Sequence, residues 1–113
     1  MDNNLKKEMQ GVAFMIIASV GEARSSFMEA ITKARSGDFV GARSELAAGS
    51  QVYKDAHQHH FGLVGKEARD IDLPFSLLLV HAEDQLLTTE VIRLLAEELL
   101  VLYERVGCVR MFA

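Results

Sequence analysis

Residues 75–106 read FSLLLVHAEDQLLTTEVIRLLAEELLVLYERV. Nineteen of these 32 residues are apolar, and they recur at three- and four-residue steps, the period of an α-helix. One seam runs through Phe75, Leu78, Ala82, Ile92, Ala96, Leu99, Tyr103 and Val106; further apolar faces run through Leu77, Val91, Leu95 and Leu102. Pro74 suits the first turn of a helix, where its missing N–H would have no partner, so the segment reads as a helix over about 74–106. A helix apolar on most sides is buried on most sides. Two neighbours within one short chain cover only part of its circumference, so the surplus predicts a homo-oligomer built through this helix.

Upstream, Met9, Val12, Ala13, Ile16, Val20, Ala23, Phe27, Ile31 and Ala34 form the stripe of an amphipathic helix over about 5–35. At Ser36-Gly37-Asp38-Phe39 the pattern breaks. Gly37 can take the left-handed conformation that closes a helix, and Asp38 can cap the next one through its side-chain oxygen. A second helix over about 38–69 carries Phe39, Ala42, Leu46, Tyr53 and Val64, with Ser50, His57 and His60 on the same mixed face. No segment alternates long enough to be a strand, and there is no repeat or linker. The expectation is one all-α domain over residues 1–113, a three-helix antiparallel up-down-up bundle.

Composition narrows the function. A formal charge of −4 with scattered basic residues argues against nucleic acid, whose phosphates require clustered Lys and Arg. Cys108 is the single cysteine, which excludes an internal disulfide and points to a reducing compartment, the cytoplasm. Lys6 and Lys7 followed by GVAFMIIASVGEA resemble a secretory signal only superficially, because helical spacing continues past the apolar run. The longest such run, residues 12–18, is far below the ~20 residues of a membrane span. A soluble chain without membrane insertion is expected.

His81 and Asp84 interrupt the apolar helix, and buried imidazole or carboxylate is costly unless paired or used. At 3.6 residues per turn they share a stripe with Leu77, Thr88, Val91 and Leu95, distinct from the intramolecular seam. His81 reads either as a core or interface histidine satisfied by a neighbour, or as a nucleophilic imidazole able to attack phosphorus or bind metal. Asp84 reads either as solvent-exposed or bonded to His81, or as facing a symmetry axis where copies converge and a divalent cation relieves their repulsion. His57, His59 and His60 lie on one helix without a Cys or carboxylate at a metal-binding spacing, and favour a solvated or partly packed face.

At LVHAEDQLLTTE, residues 79–90, the chain resembles the lactose/cellobiose (N,N′-diacetylchitobiose) family of enzyme IIA components of the bacterial sugar phosphotransferase system. The likeness extends through Gly21-x-Ala23-Arg24-Ser25, Gly37-Asp38-Phe39 with Ala42, Ala56-His57, Glu67-Ala68, Ser76 and Leu102-Tyr103-Glu104. It implies a homotrimer, a nine-helix bundle with the third helices around the axis. It also implies that His81 is phosphorylated by the histidine phosphocarrier protein and passes the group to a cysteine of enzyme IIB, for uptake of a β-linked disaccharide. Asp84 would then meet a divalent cation, Mg²⁺, at the trimer axis. The contrasting expectation is a non-catalytic helical interaction or regulatory module in which His81 and Asp84 satisfy a subunit interface. The chain departs from the family pattern at Glu83, Gln85 and Leu87, where Gln, His and Met are common; Gln85 replaces a second imidazole near His81, and its amide can still hydrogen-bond a phosphoryl oxygen.

Overall fold

The computed structural model describes residues 3–112, with side chains over residues 4–107; the side chain of Cys108 and the apolar ending after it lie outside the described side chains. Three helices follow in order: α1 (Asn3–Arg35), α2 (Phe39–Ala68) and α3 (Leu77–Phe112). They form a rod of 67 × 21 × 19 Å. The α1 helix packs along both others, whereas α2 and α3 touch each other sparsely.

The first turn closes as its residue types dictate. Gly37 has φ +90°, Asp38 N–H donates back to Lys33 O at 2.9 Å, and Asp38 Oδ1 accepts from Gly41 N–H at 2.9 Å. That single carboxylate satisfies one of the orphan donors at the start of α2. The second turn uses Asp70 at φ 62°, a conformation that Asp tolerates better than most L-residues. Ile71 N–H donates to Lys66 O at 3.1 Å across this turn.

The α1 stripe lies where its period puts it: Met9, Ala13, Ile16, Val20, Ala23, Phe27 and Ala34 are buried, joined by Ala30. On α2 the buried residues are Ala42, Gly49, Tyr53, Ala56 and Leu63, while Val64 is exposed. Gly49 marks a close approach of α1 and α2, since a Cβ there would stand 2.7 Å from the Phe27 ring.

The start of α3 differs from the expectation of Pro74. Ser76 is the cap: its Oγ accepts from Leu79 N–H at 3.1 Å and its carbonyl from Val80 N–H at 3.1 Å. Phe75 therefore lies outside the helix and is 84% exposed instead of heading the seam. The inward seam of α3 passes through Ala82, Leu86, Thr89, Ala96 and Leu100, with Leu78 and Ile92 packed beside it. At the far end Val106 is exposed, and the helix continues to Phe112.

Candidate functional site

Helical register presents His81 on the outer side of α3, in the second turn after the Ser76 cap, and its side chain is exposed. Among the described residues no hydrogen bond or ion pair engages its ring. Asp84, Thr88, Val91 and Leu95 continue the same exposed stripe, and Leu77 at its head is 73% exposed. Asp84 and His81 are not bonded to one another; Thr88 Oγ1 instead donates to the Asp84 backbone carbonyl at 3.0 Å. The stripe is thus apolar at its two ends, with an exposed imidazole, an exposed carboxylate and the Thr88 hydroxyl between them.

Each flank of His81 is tied to a different helix. Glu83 is drawn to α2, where His60 Nε2 lies 2.7 Å from its Oε2. Gln85 is drawn to α1, where Arg24 Nη1 donates to its Oε1 at 2.8 Å. The sequence alone left both partners unidentified, because each pair spans a long stretch of chain and period gives only the face on which a residue stands. Of the remaining histidines, His57 stands beside Tyr53 with ring centroids 6.2 Å apart, and His59 is exposed.

Below Glu83, the sparse contact of α2 with α3 leaves an open groove of about 630 Å³ lined by Tyr53, His57, His60, Leu87, Glu90 and Arg93. Arg93 hydrogen-bonds Glu90 and reaches Glu97 Oε1 at 2.8 Å. Chiefly through that bond from Arg93, the Glu90 carboxyl is held below its ordinary pKa. The Tyr53 phenol is pushed up to about 12, first by burial and then by the neighbouring Glu90 charge.

Among the described residues there is no group of three or more His, Cys, Asp or Glu side chains able to hold a metal within one chain. Asp84 supplies a single carboxylate, and a hard divalent cation prefers about six oxygens. No helix of the described residues is long and apolar enough to cross a membrane.

The comparisons with known proteins agree with this geometry. A family model described as the PTS system, Lactose/Cellobiose specific IIA subunit, matches residues 11–104. A lactose-specific EIIA component of the PTS from Staphylococcus aureus is 37% identical over 100 residues, covering 88% of this chain and 97% of that protein. The crystal structure of the cellobiose-specific enzyme IIA from Bacillus anthracis superposes with a TM-score of 0.84 at 29% identity, over 96% of this chain and 95% of that one. A third similar structure is the IIA of the N,N′-diacetylchitobiose branch of the Escherichia coli phosphotransferase system, solved in complex with HPr: TM-score 0.70, 30% identity, 88% of this chain and 96% of that one. By fold, length and sequence together, the chain belongs to the lactose/cellobiose-specific IIA subunit family, enzyme components of the sugar-transporting phosphotransferase system.

Proposed function

We propose that His81 is the phosphoryl acceptor of a IIA carrier, charged by the histidine phosphocarrier protein and discharged onto a cysteine of enzyme IIB during uptake of a β-linked disaccharide. The observation that carries this reading is the exposed imidazole of His81 on a stripe of α3 whose ends are the exposed apolar residues Leu77, Val91 and Leu95. A ring nitrogen of His81 attacks the phosphorus of the donor phosphohistidine in line. One P–N bond forms as the other breaks, and the electron pair of the broken bond returns to the donor imidazole. In the second step the thiolate of enzyme IIB attacks the same phosphorus and the His81 ring leaves. Neither step needs a general base to activate a hydroxyl, since neutral imidazole and thiolate are already nucleophiles. The protein's share is positioning and stabilisation of charge on the equatorial oxygens. Leu77, one turn before His81, and Val80, immediately before it, are exposed and supply an apolar rim on which both partners dock in turn.

The working form is a homotrimer with α3 at its axis. Exposed Leu87, Val91, Leu94 and Val101 recur at steps of three, four and seven residues that suit helix-on-helix packing. Asp84 stands on this face, so three copies converge and together offer the oxygen ligands that one chain lacks. A divalent cation such as Mg²⁺, held by those carboxylates, would neutralise their charge.

The direct test is incubation with phosphoenolpyruvate, enzyme I and the phosphocarrier. One phosphoryl group per chain is expected, and none on His81→Gln. Equal labelling of that variant would move the site elsewhere, and an unlabelled native protein would favour a purely structural interaction module.

A further inference from the structure

Where α2 and α3 touch sparsely, His60 and Glu83 bridge them across the open groove, with Nε2 2.7 Å from Oε2. Glu83 stands two residues after His81, at a position where the chain departs from the family pattern. Residues two apart on a helix do not face each other, so the Glu83 carboxylate acts on a phosphoryl group at His81 through its field and not by contact. That field is unfavourable, because both groups are negative. The pair is part-buried, which leaves its charges less screened than those of free surface side chains. A protonated His60 cancels the Glu83 charge and keeps the carboxylate on the α2 side of α3. The other titratable groups along the groove are Tyr53, Lys54 and His57 from α2 and Glu90 and Arg93 from α3. Glu90 is taken up by Arg93 and Tyr53, and among the described residues α1 adds no charged side chain to the lining. Glu83 is therefore the carboxylate that answers to His60.

From this arrangement we infer that His60 is a positioning residue for phosphoryl transfer: it turns Glu83 toward α2 and neutralises it, so that charging of His81 is coupled to protonation of His60. The inference rests on His81 being the acceptor. Histidine changes its charge near neutral pH, so the coupling favours the phosphorylated form below that transition and fades above it. Coupling between two bound groups is reciprocal. Phosphorylation must therefore tighten the hold of His60 on its proton by the same factor by which that proton favours phosphorylation. His60 stays outside the transfer itself: the P–N bond to the donor breaks as the P–N bond to His81 forms, and the His60 proton exchanges with solvent.

The experiment reads the equilibrium fraction of phosphorylated protein against a fixed pool of phosphocarrier at pH 6, together with the NMR titration of the His60 ring in the free and the phosphorylated protein. Native protein and His81→Gln serve as controls. His60→Leu should lower the charging constant about fivefold, the order expected of one unit charge acting at a protein surface. His60→Leu with Glu83→Gln should return it to the native value or above, because no carboxylate is then left to neutralise. A purely structural bridge predicts the opposite, since that double variant lacks both halves of the bond. Phosphorylation should raise the midpoint of the His60 titration by about 0.7 pH units, the same fivefold factor on a logarithmic scale. Native-like charging of His60→Leu, failure of Glu83→Gln to restore it, or an unmoved His60 midpoint would each overturn the inference. Should His60→Leu fail to fold, as judged by circular dichroism, His60→Gln takes its place: it keeps a donor for Glu83 without the charge, and the same loss and the same rescue are expected. Labelling of His81→Gln overturns the acceptor assignment and this inference with it.

Discussion

Tyr53 and Glu90 line the same groove from α2 and α3, and their titrations are opposed. Burial and the Glu90 charge raise the Tyr53 phenol to about 12, so its contribution to stability is complete below the unfolded value near 10 and is lost as pH rises toward 12. Ultraviolet absorbance of the Tyr103→Phe variant should accordingly show phenolate only well above pH 10, and Glu90→Gln should move that transition down. Glu90 itself is depressed, which places its contribution above about pH 4.5 and removes it in more acid solution. Thr89 presents another residue-level case. It is fully buried, and its Oγ1 has no partner among the described residues. An unsatisfied buried hydroxyl costs about 1–3 kcal/mol, so Thr89→Val should stabilise the fold by roughly 1 kcal/mol, read as a higher thermal midpoint. His81 and Asp84 were legible as odd residues because each stands polar within an apolar helix. Arg24 and His60 were not legible as their neighbours' partners, since contact between helices depends on rotation and offset that no local pattern encodes.

Among the helices, α1 is the one whose pattern and burial agree nearly residue for residue. It is covered on two sides by α2 and α3, so its stripe is a plain record of tertiary contact. The α3 helix was harder to read. Apolar on most faces, it offers several seams of similar quality: Leu78, Ala82, Ile92 and Ala96 of the expected seam do face inward, whereas Leu86, Thr89 and Leu100 were not in it and Phe75 and Val106 face out. Ser76 resolves the start: a hydroxyl that accepts from the third residue beyond it is a stronger helix signal than a nearby proline. On α2 the decisive residue is Gly49, whose absent side chain lets Phe27 press against the backbone. Gly49→Ala forces a Cβ to 2.7 Å from that ring, and overpacking of this kind costs about 1–3 kcal/mol. Chemical denaturation should show that loss, and Gly49→Ala combined with Phe27→Leu should recover part of it.

At the scale of the molecule, the elongated rod keeps α3 incompletely covered by its own chain. Leu87 is 67% exposed, and Val91 and Leu95 are each 55% exposed, a continuous apolar face too large to be left to water. Sedimentation at micromolar concentration should give three times the chain mass. Asp84→Leu should preserve or strengthen that assembly by removing converging carboxylates, while leaving His81 able to accept phosphate. Chelation of divalent ions should weaken the native trimer and leave the Asp84→Leu trimer unaffected. The exposed apolar residues of α3 match the surplus that its sequence carries, which is the ground for expecting copies. The number of copies was not readable there, because three-fold and other closed symmetries hide a helical face equally well.

The unequal packing of the three helices also dictates an order of events during synthesis. The first two segments are neighbours along the chain and can zip into a hairpin while the ribosome is still at work, because short-range closure is quick and cheap in entropy. The last helix must find the earliest-made one across most of the polypeptide's length, so it docks late. A chain released prematurely would therefore keep a hairpin yet lack the helix that bears His81, and with it the proposed relay of phosphate, well before helicity was lost.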